Sequence, residues 1–481
     1  MSAGSEEYLL APPYTRHGRE AKRGRLRWIL LFLLVVGAGW AVYATFYAGP
    51  SPEIRIATER PAIGSSNRID VSVVEPRRGL GKVRLTLVQG ENSIELARDD
   101  GAAPAVWKLW QKGPETVELS AVVGRGAPDW LREGEATLRV VAERLEGPLR
   151  SVDPSVVETT LPVRFRPPAL SMLSGPLYVR QGGSGLVVFR PGPTSVRSGI
   201  VAGDAVFPSY PLPGATSGER VVLFGVPWNV ASIGDVKLFA EDDAGNVAMK
   251  QAPDLLKASP PRRDTIGITD TFLERVVPAI VSQTPELDPD EPFLEAYLRI
   301  NGELRRANRQ FLAELAGKSV PQPLWQGRFV QLPNSARKAS FAETRRYLYR
   351  GSAVDEQTHL GLDLASTSRA LAPAPNAGVI LYAGFLGIYG NVVVIDHGLG
   401  MMSINAHLSS IAVAEGQRVE RGAAIGRTGA TGLAGGDHLH LGIFIQGTAV
   451  DPIEWLDGTW IENNIASKLD VTGAAEQGAT R

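Results

Sequence analysis

The chain has 481 residues, 50 Lys and Arg against 51 Asp and Glu, a net charge of -1 and no cysteine. A length of about 150 residues per domain implies roughly three folded units, and the balanced charge, with no basic stretch interleaved with aromatics, excludes a dedicated nucleic-acid binder. The lack of cysteine excludes thiolate-ligated zinc, disulfide frameworks and thiol nucleophiles together, and suits an oxidising compartment.

Residues 1–27 form a basic tail carrying Arg16, Arg19, Lys22, Arg23, Arg25 and Arg27. Trp28 to Tyr47 holds no charge, and about 20 apolar residues are what a helix needs to cross a bilayer. Positive charge on the leading flank places that end in the cytoplasm. The segment 28–47 therefore predicts a single-pass anchor in the inner (cytoplasmic) membrane, with the rest of the chain in the periplasm or cell-wall space. A signal peptide cleaved near Val42-Tyr43-Ala44 is the alternative, but its apolar core would exceed the usual length of about 7–15 residues.

Residues 53–168 read as short strands, among them R-I-D-V-S-V-V near 68 and K-V-R-L-T-L-V near 82. They alternate apolar with polar and are separated by turn residues, the pattern of a β-sandwich. A second β, Ig-like module spans 169–257. Its Asp242-Asp243-Ala244-Gly245-Asn246 could be taken for a calcium loop, but it lacks further spaced oxygen ligands and reads as a hairpin turn. Residues 262–318 carry helical spacing, with Leu294, Leu298, Leu304, Phe311 and Leu315 on one stripe and Gly317 placed as a C-cap, and predict a helical connector. From 320 to 460 strands resume and predict an all-β catalytic module. Residues 461–481 read as a loose tail.

Histidine is scarce, six in all; five fall in this last module, and four of those form a pattern that packing does not explain. They are His359 in T-H-L-G-L-D-L with Asp363, His407 in N-A-H-L, and His438 and His440 in G-D-H-L-H-L. A catalytic zinc takes about three nitrogen or oxygen ligands and leaves one position open. His359, Asp363 and one member of the late pair would supply that set, leaving two histidines for proton and charge handling. In a strand, residues i and i+2 share a face, so His438 and His440 emerge side by side with Leu439 and Leu441 behind them. The glycine in Leu360-Gly361-Leu362 favours an extended or turning link between His359 and Asp363. His397, in Asp396-His397-Gly398, reads as structural, and His17 lies in the basic tail.

His359-x-x-x-Asp363, His407 and His438-x-His440 together resemble the signature of the lysostaphin-like zinc endopeptidases, which cut peptidoglycan peptides. G-V-I-L-Y-A-G (378–384), I-Y-G-N-V-V-V-I-D-H-G (388–398), A-H-L-S-S-I (406–411), G-Q-R-V-E-R-G-A-A-I-G-R-T-G-A-T-G (416–432) and V-D-P-I-E-W-L (450–456) extend the match. The likeness covers about residues 325–460. It implies Zn2+ held by His359, Asp363 and His440, with His407 and His438 as catalytic histidines flanking a water. One position departs from the pattern: Asn405 stands where the family often has tyrosine. The implied fold class is mainly β: an N-terminal transmembrane helix, two β-sandwich modules, a helical connector and a C-terminal lysostaphin-like peptidase domain.

The implied function is a membrane-anchored zinc metalloendopeptidase acting on peptide bonds of peptidoglycan cross-links or stem peptides during wall remodelling. The competing reading is a non-catalytic peptidoglycan-binding scaffold, or an activator of another wall hydrolase, which would not need all five site residues. The intervening modules exceed a simple spacer and are expected to position or occlude the substrate groove, leaving room for an envelope protein partner.

Overall fold

The structure is a computed structural model that describes residues 18–46, 50–77, 79–101, 113–145, 153–215 and 217–469. The chain divides into two compact units, Met1–Phe165 and Arg166–Arg481. The first begins with helix α1 (Gly18–Phe46). Among the described residues, no helix is long and apolar enough to cross a membrane. The side chains described in α1 run from Leu26 to Trp40 and then Val42 and Tyr43, all exposed, while Tyr47 lies outside the described residues, as does His17.

The rest of the first unit is a two-sheet arrangement. One sheet is ordered β1 (Glu53–Thr58), β2 (Asn67–Val74) and Thr116–Val123; the other is Asn92–Asp99, Leu80–Gln89, Gly134–Arg144 and Ser155–Val163. Strict alternation along β2 turns Ile69, Val71 and Val73 inward to meet Leu85, Leu87, Leu138 and Val140 in one core. Within this unit Arg144 pairs with Glu75 at 2.7 Å, both side chains nearly fully buried.

In the second unit two four-stranded sheets contain β3 (Ser184–Pro191), β4 (Ser195–Ala202), β5 (Arg220–Gly225) and β6 (Val236–Asp242). The segment Asp242–Asn246 is a hairpin turn: the Asp242 carboxylate accepts from the backbone N–H groups of Ala244 and Asn246 and from the Asn246 amide at 2.8–3.0 Å. Strand β3 is buried on both faces from Ser184 to Phe189. This explains its continuous apolar run: its core also takes in Met401, Ile443, Ile445, Val450 and Trp455 from the C-terminal region. Trp455 is fully buried, donates its indole N–H to Ser184 Oγ at 3.1 Å, and meets Trp325 and Phe329 edge-on. Glu454 beside it accepts from Arg180 and from the Ser184 N–H. The second β module and the C-terminal strands thus share one core.

Residues 262–318 do not begin helical. Strand β7 (Arg262–Ile268) pairs in parallel with β8 (Glu343–Tyr349), which pairs with β9 (Ser352–His359). Helix α2 (Asp270–Val281) follows, capped by the Thr269 hydroxyl. Helices α3 (Phe293–Arg299) and α4 (Arg305–Ala316) run on through a π turn at Ile300–Leu304. Their apolar stripe (Tyr297, Ile300, Leu312 and Leu315) packs on Val392, Met402 and Ile404 of the large sheet. That sheet has ten strands, with a central order β10 (Leu362–Ala365), β14 (Leu439–Ile445), β13 (Met401–Ile411), β12 (Asn391–Gly398) and β11 (Gly378–Phe385). Residues 458–469 are helical, with Ile461 and Ile465 buried in the shared core, so only 470–481 of the expected tail lies outside the described residues.

Candidate active site

Three neighbouring strands converge on one point. His359 ends β9, Asp363 lies in β10, and His440 in β14 pairs directly with Asp363 across the ladder. The turn between β9 and β10 holds Gly361, where a Cβ would come within 2.6 Å of the His440 ring, so the close approach of the imidazole demands glycine. Asp363 Oδ1 lies 3.0 Å from His359 Nε2 and 2.9 Å from His440 Nδ1, and those two nitrogens are 3.1 Å apart.

All three side chains are buried, and one ligand atom from each falls within 4.8 Å of the others. His359 Nδ1–H donates to the Ser340 carbonyl at 2.9 Å, which leaves the Nε2 lone pair facing the cluster. Tetrahedral bonds of zinc's usual length put ligand atoms about 3.3 Å apart, close to the spacing seen. A carboxylate and two nitrogen donors, all buried and facing one another, match a small dication in charge and geometry, and the residues fit zinc.

His407 and His438 flank this cluster, their rings 4.8 Å apart. His407 Nδ1–H donates to the Thr431 carbonyl and His438 Nδ1–H to that of Gly436, each at 2.8 Å. Each therefore turns Nε2 inward, and that of His438 reaches to 3.5 Å from Asp363 Oδ1. As the strand period predicts, Leu439 and Leu441 pack behind the His-x-His pair. His407 arrives differently. Val393 pairs with Asn405 and Asn391 with Leu408, so Ala406 and His407 form a bulge opposite Val392. His407 has φ of 62°, a left-handed value rare for a side-chain-bearing residue. The bulge takes His407 out of parity with Ser403 and Asn405. Asn405, which stands where the family often has tyrosine, is fully buried and donates toward Ser403 Oγ and the Val393 carbonyl.

Burial opposes charge on Asp363, but the surrounding histidines outweigh it and hold the carboxyl well below the usual range. Burial, reinforced by His438 and His440, pushes His407 well below the ordinary imidazole value. For His438, burial is outweighed by the Asp363 hydrogen bond and charge, so its value rises. His397 stands apart: fully buried, it donates to the Ala377 carbonyl and accepts from Ser403 Oγ, and it packs on Phe329.

Sequence reasoning missed four contributors. Arg345 in β8 donates from Nη2 to Asp363 Oδ2 at 2.8 Å, leaving Oδ1 toward the cluster. Tyr389 lies 5.9 Å from the His440 ring. Asn301 and Arg305, from the π turn and α4, line the same cleft of about 190 Å³ together with Tyr297 and Phe272. Only Tyr389 carried a signal, as part of I-Y-G-N; the others come from segments read as plain strand or helix. Arg275 of α2 donates to the Ala434 carbonyl at 3.0 Å and so ties the helices to the loop before His438.

Residues 357–452 match the model of Peptidase family M23. The chain is 41% identical over 95 residues to the DD-carboxypeptidase/endopeptidase Mpg of Neisseria meningitidis, covering 20% of this chain and 22% of that protein. It is 36% identical over 96 residues to the peptidoglycan DD-endopeptidase ShyA of Vibrio cholerae, again 20% and 22%. The match therefore spans about a fifth of the length of these curated relatives. Among solved structures, a putative peptidase M23 from Pseudomonas aeruginosa aligns over 60% of this chain and 96% of its own at 20% identity and a TM-score of 0.36. The catalytic domain of lysostaphin from Staphylococcus simulans aligns over 26% and 94% at 27% identity and a TM-score of 0.23.

Proposed function

We propose that this chain, which carries a Peptidase family M23 domain over residues 357–452, is a zinc-dependent endopeptidase that hydrolyses peptide bonds in peptidoglycan cross-links or stem peptides. The supporting observation is the completeness of the constellation: His359, Asp363 and His440 converge as one buried donor set, with two further histidines turned toward it. A scaffold that only binds the wall has no use for the last two. The uncharged segment 28–47 after a basic flank supports a cytoplasmic-membrane anchor that holds the enzyme on the wall-facing side.

His359, Asp363 and His440 would hold the zinc, which supplies Lewis acidity toward the scissile carbonyl and the attacking water. Arg345 fixes the Asp363 carboxylate by its Oδ2. The carbonyls of Thr431 and Gly436 hold His407 and His438 in the tautomer that offers Nε2 to the cleft. From there the two imidazoles accept the proton of the attacking water and pass one to the leaving amine, and when protonated they stabilise the developing oxyanion.

The test is incubation of the purified, zinc-loaded chain with cross-linked peptidoglycan and mass spectrometry of the released muropeptides. New peptide-cleaved products that disappear in His440→Ala are expected. An unchanged muropeptide profile with zinc bound would instead favour the scaffold reading.

A further inference from the structure

Two guanidinium groups line the cleft, and only one is committed. Arg345 is spent on Asp363 at 2.8 Å and Glu343 at 3.3 Å. Arg305 has no carboxylate within ion-pair distance among the described residues. Its Nε and Nη2 bond only to Asn301, through the backbone carbonyl and the side-chain Oδ1. A guanidinium carries five N–H donors, so this arrangement leaves the two on Nη1 and one on Nη2 without a protein acceptor. Those donors form the edge that suits a carboxylate in a two-point contact.

The support behind Arg305 is rigid. Asn301 is fully buried, and its amide donates to Asp355 Oδ2 at 2.6 Å and toward Tyr297 Oη at 3.4 Å. This fixes the amide with Oδ1 facing Arg305. Both residues belong to the wide turn Ile300–Leu304 and its exit, a local helix distortion of the kind that often marks functional sites. Arg305 is near enough to Tyr389 to act on its phenol, and Tyr389 in turn contacts the His440 ring. The unsatisfied cation therefore belongs to the cleft that holds the metal-site residues, yet comes from outside the stretch that matches the family.

We propose that Arg305 is a specificity-determining residue that binds a free carboxylate of the substrate close to the scissile bond, so that the enzyme selects acidic stem peptides over uncharged cross-bridges. The selection rests on the endopeptidase reading above, and the two can fail separately. The experiment uses the full chain in detergent, loaded with zinc, and two synthetic cross-linked stem peptides identical except that the carboxyl beside the scissile bond is free in one and amidated in the other. Wild type is expected to favour the free acid by roughly 100-fold in kcat/KM, the scale of a hydrogen-bonded contact to a charged group. Arg305→Gln should collapse that ratio to near one, and Arg305→Lys, which keeps the charge but loses the planar fork, should retain about tenfold. Equal cleavage of the two peptides by wild type, or a preference that survives in Arg305→Gln with normal zinc content, overturns the proposal. If wild type cleaves neither peptide, the endopeptidase reading is at fault. Titration calorimetry of the same pair against wild type and Arg305→Gln then decides the recognition claim, which falls if wild type binds both peptides equally.

Discussion

His397 offers a test of which histidines belong to the chemistry. It is 0% exposed, and burial holds it neutral by pushing its pKa from 6.5 down to about 4. In the unfolded chain it titrates near its ordinary value, so below about pH 6.5 the unfolded state binds the extra proton and the folded state does not. Stability from this residue is therefore fully present above about pH 6.5 and is lost as the pH falls toward 4. A difference of about 2.5 units at about 1.4 kcal/mol per unit makes that loss about 3 kcal/mol. The measurement is equilibrium urea unfolding from about pH 7 to pH 4, followed by tryptophan fluorescence from the core that holds Trp325 and Trp455. His397→Gln cannot titrate, so whatever stability it loses at neutral pH, its pH slope over that window should be shallower than that of wild type by the same amount. Parallel slopes would refute the assignment of His397 as a buried neutral strut. Zinc content should stay the same in both proteins.

Other outcomes follow from the same geometry. His407→Ala and His438→Ala should each bind zinc with near wild-type stoichiometry by elemental analysis, while kcat falls by roughly 100-fold or more; loss of zinc would make either one a ligand. Asp363→Ala should lose bound zinc on dialysis, because it removes one ligand of three and leaves Arg345, whose remaining partner is Glu343, as an added positive charge beside the site. Trp455→Ala should destabilise the second unit by about 3–5 kcal/mol, and calorimetry should show the β module and catalytic sheet melting together; separate transitions would contradict the shared core. A fragment starting near Val320 should be poorly soluble, since it strips Tyr297, Ile300 and Leu312 from one face of the sheet and Phe224 from the other.

What could be read from the sequence was whatever depends on local period and residue type. The His-x-His pair obeyed strand alternation, and Gly361 marked the turn that lets His359 and Asp363 face the same point. The β character of 53–168 was likewise written in alternation, because one face of each strand is wet. Contacts made across long separations left no such trace. Arg345 is 18 residues from its partner Asp363 and shows nothing but strand period. The apolar run Leu186 to Phe189 suits a strand buried on two sides but carries no sign that Trp455 covers one of them. The strand at 262–268 was hidden because R-R-D-T-I-G-I, mostly exposed, has little apolar alternation and is held by a parallel neighbour some 80 residues on. At His407 the period itself misleads, since the bulge breaks it at that residue.

The left-handed bulge at His407 also bears on how this site can change over generations. The aim of that imidazole is stored in a count of residues, one more on Met401–Ile411 than on the facing strand, and not only in a rotamer. Deletion of Leu408, for example, would restore regular pairing and bring His407 into parity with Ser403 and Asn405, while leaving every metal-ligand codon intact. Insertions and deletions in this short stretch are thus a direct genetic route to relatives that keep the metal-ligand residues but lose the placement of His407.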